Sequence, residues 1–103
     1  MRPGGITMAR SKKPLTIEIE KPSKGKLEKD GIEDWPIWEK EISTFDWHYD
    51  ENETCYILEG KATVAKKTGR SVTFAKGDLV IFPKGLSCVW KVHERIKKHY
   101  KFG

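Results

Sequence analysis

Apolar and polar residues alternate along most of this chain. In Leu15-Thr16-Ile17-Glu18-Ile19-Glu20 the alternation predicts a half-buried strand, ended by Pro22. Ser23 to Lys29 has the composition of one helical turn, with Gly31 as its stop. After Gly31 the period is two almost throughout. Trp35 to Trp38 opens a strand, with Pro36 marking an edge or a strand start. Phe45 to Asp50 alternates cleanly, and Thr54 to Leu58 is a β-branched and aromatic run stopped by Glu59-Gly60. Lys61 to Lys67 and Arg70 to Ala75 flank Thr68-Gly69, a hairpin signal. Lys76-Gly77-Asp78 is a further turn, and Leu79 to Phe82 is a continuous apolar run closed by Pro83-Lys84-Gly85. Ser87 to His93 and Arg95 to Phe102 complete the series. About nine short strands with closely spaced turns predict an all-β sandwich or small barrel.

A length of 103 residues argues for one domain, since domains run to ~100–150 residues. The domain is expected over 15–103. Residues 1–14 hold four basic and no acidic side chains, so a flexible basic tail is expected there. Aromatics at 11% argue against wholesale disorder. No apolar run approaches the ~20 residues of a membrane span, and no signal-peptide core is evident. An intracellular, cytoplasmic location is expected. A plastid or other organelle is the alternative if 1–14 is the remnant of a transit peptide.

The net charge of +5 is unevenly spread. Residues 1–29 carry eight basic and three acidic groups, 30–59 one and ten, and 60–103 eleven and two. An acidic middle folded against a basic end cancels much of the field, so nucleic acid is not the expected partner. Cys55 and Cys88 are expected as free thiols in a core or cleft, because intracellular thiols are normally reduced.

Two segments carry a family resemblance. Glu53, six further residues and Gly60 fit the end of the first cupin motif, G-x5-H-x-H-x3,4-E-x6-G. Gly77, Pro83 and Gly85 fit the start of the second, G-x5-P-x-G-x2-H-x3-N. The chain thus resembles the cupins, double-stranded β-helix barrels of the jelly-roll kind. Phe45-x-Trp47-x-Tyr49, Glu53, Cys55 to Gly60, Gly85, Trp90 and His99-Tyr100 are similar to the small single-domain cupins grouped with the ureidoglycine aminohydrolase cupin domain. The similarity runs from Trp35 to Tyr100 and implies a jelly-roll barrel with a small-molecule site inside.

A metal-binding cupin supplies two His, a Glu and a third His. Three residues before Glu53, the first two positions hold Trp47 and Tyr49, and the later His position holds Cys88. Counting four residues instead gives Asp46 and His48. Alternation puts Phe45, Trp47 and Tyr49 on the inner face and turns His48 outward. Glu53 and Cys88 alone fall short of a usual ligand set, so neither metal nor other cofactor is expected. His93 and His99 lack ligand spacing and are expected at the surface or against a partner.

The predicted ligand pocket is Trp47, Tyr49, Glu53, Cys88 and Trp90. Glu53 leads a strand whose Cys55 and Ile57 share its face, and it is expected near Tyr49 and Cys88 as the polar anchor. The function expected is small-molecule binding without the usual cupin metal. One alternative is an enzyme acting on a C–N bond of a small polar substrate, as the ureidoglycine aminohydrolase resemblance implies. Another is a nucleic-acid or protein adaptor acting through the basic C-terminal strands. A homodimer is expected, formed through the open edge at Leu15 to Glu20 or the strand around His99.

Overall fold

The computed structural model describes residues 15–67 and 69–103. The basic tail expected over 1–14, and Thr68 of the hairpin turn, lie outside the described residues. The elements in chain order are β1 (Glu18–Glu20), α1 (Lys24–Lys29), a 3-10 turn (Ile32–Asp34), β2 (Ile37–Lys40), β3 (Ser43–His48), β4 (Glu53–Lys66), β5 (Ser71–Ala75), β6 (Leu79–Phe82) and β7 (Ser87–Phe102). All strand pairs are antiparallel. The order is β1-β6-β4-β7-β2, with β3 also on β7 and β5 also on β4. The fold is a cupin β-barrel, as the strand pattern and the motifs predict.

The Ser23 hydroxyl caps α1 by accepting from Lys26 N at 3.1 Å, which satisfies one of the first-turn amides that lack a helical partner. Gly31 follows with φ 65°, the left-handed conformation that glycine adopts without a Cβ clash.

Two predicted strand pairs are each one long strand. β4 runs for 14 residues and β7 for 16. Glu59-Gly60 is therefore a bulge and not a stop, and the β4–β7 register shifts between Ile57 and Ala62. Gly60 has φ +93°, and a Cβ there would lie 2.1 Å from the Arg95 carbonyl oxygen. Only glycine lets the two long strands bend over each other at this point. The bulge also flips the inward parity. Cys55 and Ile57 are buried before it, Ala62 and Val64 after it. In β7 Cys88, Trp90, Val92, Ile96 and Lys98 all point inward.

The core is built from these faces together with Phe74, Val80 and Phe82. Ile17 joins it, while Leu15 and Ile19 stay exposed, so the first strand buries one residue of the face predicted. β7 is paired on both sides, to β4 on one and to β2 and β3 on the other. The strand around His99 therefore has no free edge for a partner copy. That correction to the expected edge follows from Trp35 to Lys40 folding back onto it. His99 itself is buried, with Nδ1–H donating to the Trp35 carbonyl at 2.9 Å, and is not a surface histidine.

Candidate functional site

The two motif corners interlock and place the first pocket residue. Gly85 N donates to the Tyr49 carbonyl at 2.7 Å, and Tyr49 N donates to the Leu86 carbonyl at 2.9 Å. The Asn52 side-chain oxygen accepts from Lys84 N at 2.7 Å. The loop between β3 and β4 is thereby tied to the Pro83-Lys84-Gly85 corner. Tyr49 is carried into the barrel and is fully buried, stacked on Phe82 with centroids 4.8 Å apart. Its hydroxyl accepts from Trp90 Nε1 at 3.1 Å.

Beside this pair lies a cavity of about 210 Å³. Seven of its nine lining residues are aromatic: Trp38 from β2, Phe45 and Trp47 from β3, Tyr49 after it, and Trp90, Tyr100 and Phe102 from β7. The other two are Glu53 and Lys98. Trp47 and Phe102 are about half exposed, at 45% and 47%, and form the rim. Phe45 and Trp90 stack with centroids 5.9 Å apart, and Trp38 meets both edge-on. Aromatic side chains at alternate positions of β3 and β7 thus continue across the sheet as one wall.

Glu53 is buried, and its partner is Lys98. Lys98 Nζ lies 2.6 Å from Glu53 Oε2, with both side chains almost wholly excluded from solvent. The same ammonium sits 4.8 Å from the ring centroid of Trp38 and 4.8 Å from that of Trp90. Two aromatic faces thus share the charge that the carboxylate neutralises. A buried pair of this kind gains little over an apolar replacement, but removing one partner alone costs about 3–5 kcal/mol. Burial, and next the nearby Glu53 carboxylate, push the Tyr49 phenol well above its ordinary range. Burial pushes the Cys55 thiol up to about 12, against the opposing pull of Lys98. It pushes Cys88 up to about 11, opposed by Lys67. Both thiols are free, buried and poor nucleophiles near neutral pH.

The structure brings Trp47, Tyr49, Glu53 and Trp90 to one cavity. Cys88 is not on its wall; it packs in the core, with its thiol 3.7 Å from the Trp47 carbonyl. Glu53 pairs with Lys98 and not with Tyr49, whose hydroxyl accepts from Trp90. Sequence reasoning missed Lys98, Trp38, Tyr100 and Phe102, and put Phe45 on the inner face without assigning it to the pocket. A signal for Lys98 existed: counted from Trp90 and Val92, it falls on the inward parity of β7. It was hidden among eleven basic residues of the segment 60–103, which read as solvated surface.

The usual cupin metal does not fit these residues. The motif positions offer Trp47 and Tyr49, which bring no imidazole, and a carboxylate already neutralised by Lys98. Among the described residues no group of three or more His, Cys, Asp or Glu could hold an ion. His48 faces outward, its Nδ1 2.7 Å from Ser87 Oγ, and His93 is on the outside against Thr63. No helix of the described residues is long and apolar enough to cross a membrane.

A jelly-roll barrel with its cavity on the inner sheet face is the architecture of a small cupin. The chain belongs to the EutQ-like cupin domain family, whose model matches residues 27–100. A DUF861 family protein from Thermotoga maritima is 57% identical over 85% of this chain and all of its own, with a TM-score of 0.85. The Clostridium difficile EutQ protein is 27% identical, with a TM-score of 0.60; 64% of this chain is covered, and 52% of that one. A cupin superfamily protein from Desulfitobacterium hafniense shares the fold at 12% identity, covering 96% of this chain and 87% of its own, with a TM-score of 0.51. No curated protein matches. These likenesses carry the cupin family and leave the narrower ureidoglycine aminohydrolase grouping unsupported.

Proposed function

We propose that the protein is a cupin that binds a small organic molecule in the aromatic cavity, with the Glu53–Lys98 pair standing where metal chemistry operates in other cupins. The observation that carries this reading is the cavity of about 210 Å³ between aromatic walls, with both members of a buried ion pair on its lining. A dry apolar cavity of about 150 Å³ holds one benzene, so this volume suits a molecule of one or two rings. Well-formed apolar pockets with a few convergent polar groups are the usual form of small-molecule sites. Hydrolysis of a C–N bond is less well supported. Glu53 is engaged by Lys98 and is not poised as a free base, and both thiols are held protonated.

The test is native mass spectrometry with elemental analysis of protein purified without chelator. A small organic adduct and no stoichiometric metal are expected, with the adduct lost in Trp47→Ala. One metal per chain, lost in Glu53→Ala, would overturn the reading.

A further inference from the structure

We infer that the Glu53–Lys98 pair selects an electrically neutral, planar ligand presenting a carbonyl oxygen and an N–H side by side, the edge of a cyclic amide. The inference rests on the proposed pocket and names the chemistry that it takes.

The first ground is donor and acceptor capacity. Lys98 has three N–H donors, and one goes to Glu53 Oε2. The remaining positive charge faces the rings of Trp38 and Trp90, which accept only weakly. The carboxylate of Glu53 has about four acceptor sites. Lys98 takes one. Spare donor and spare acceptor capacity therefore lie on adjacent atoms, with both residues on the cavity lining. A carbonyl oxygen turned to Lys98 and a neighbouring N–H turned to Glu53 complete both groups at once.

The second ground is charge. Glu53 and Lys98 are the charged side chains on that lining, and they cancel. A carboxylate ligand would leave one buried negative charge in excess, and an amine one positive charge. The carboxylate's excess is uncompensated inside aromatic walls, and the amine would compete with Lys98 for the ring faces of Trp38 and Trp90 that its ammonium already occupies. A neutral amide edge leaves the balance intact. The third ground is shape. Trp38, Phe45 and Trp90 offer faces and edges that pair with a flat π-system by stacking or edge contact.

Four single-ring probes of similar size separate the possibilities: 2-pyridone, toluene, benzoate and benzylamine. Each is titrated into the full chain while the indole N–H signals are followed by NMR. Trp38, Trp47 and Trp90 report the cavity, and Trp35, which is not on its lining, serves as the control. 2-Pyridone should move the three cavity signals, with a Kd at least about tenfold below those of the other probes, as two hydrogen bonds to charged groups imply. In Glu53→Gln, where Lys98 is left unpaired, the preference should turn toward benzoate. In the double variant Glu53→Leu/Lys98→Met, which removes both donor and acceptor, the advantage of 2-pyridone over toluene should vanish. That variant leaves no unpaired buried charge and so protects the test against a misfolded single variant.

Toluene binding as tightly as 2-pyridone would overturn the amide-edge inference and leave the pocket standing. Benzoate or benzylamine binding tightest in the unaltered protein would overturn the charge argument, and a 2-pyridone preference surviving in the double variant would remove the pair from recognition. Cavity signals unmoved by all four probes would sink the pocket reading itself, and the inference with it.

Discussion

The two walls of this barrel rest on different long strands, β7 for one and β4 for the other, and have opposite character. Where β7 meets β2 and β3, the inward side chains are Trp90, Lys98 and Tyr100 against Trp38 and Phe45. Where β4 meets β5 and β6, they are Ala62, Val64, Phe74 and Val80, all buried to 1% exposure or less. The second wall closes like an apolar core, with small and branched side chains packed beside the single ring of Phe74. The first cannot close in that way. Large rings meeting edge-on leave a gap, and a buried ion pair must be satisfied beside it. The aliphatic wall thus supplies stability, and the aromatic wall holds the space in which chemistry can occur. Glu53 starts β4 and sits where the two walls meet.

The contrast is most sharply broken at the ion pair. Lys98→Met strands the Glu53 carboxylate and should lower unfolding free energy by about 3–5 kcal/mol in urea denaturation. Adding Glu53→Gln should restore much of it, since both charges are then gone. Near-additive losses would mean that the two residues do not act as a pair. On the opposite wall, Ile57→Ala should cost about 2–5 kcal/mol by leaving a cavity in tight packing. That change should leave binding of any small probe within about twofold once stability is allowed for, because Ile57 is not on the cavity lining.

A third prediction concerns pH. The folded protein holds the Cys55 thiol at about 12 against an ordinary value of 9.0. Between these values the unfolded chain loses a proton that the folded one keeps, so stability falls as pH rises through that window. The stabilising term is fully present below pH 9 and is lost toward pH 12. Cys55→Ala should reduce this slope in melts recorded from pH 9 to 11, the remainder coming from Cys88 and Tyr49, which burial also raises, and an unchanged slope would assign the effect to those groups. The smallest change in stability is expected at the rim. Trp47→Ala removes a half-exposed ring and should shift unfolding by under about 1 kcal/mol, while abolishing ligand retention. A large fall in melting temperature would instead make Trp47 part of the core.

Strand composition and the two corner motifs determined the barrel from sequence alone. Period-two alternation does not depend on which strand is the neighbour, and Gly77, Pro83 and Gly85 enforce turns wherever they lie. Alternation also placed Tyr49, Glu53 and Trp90 inside, because inward parity is a local property between bulges. Partnership is not local. A glycine read as a stop at Gly60 proved to be a bulge, because only the approach of Arg95 from β7 shows that the chain continues. Lys98 looked like one more solvated lysine until the fold set it beside Glu53, 45 residues away in sequence. Cys88 carried the spacing of a ligand position, yet packing put its thiol into the core and off the cavity wall. Which residues face inward is decided by the pleat of each strand. Which inward residues meet, and whether a space remains between them, is decided by register and side-chain volume across strands, and those exist only in the folded barrel.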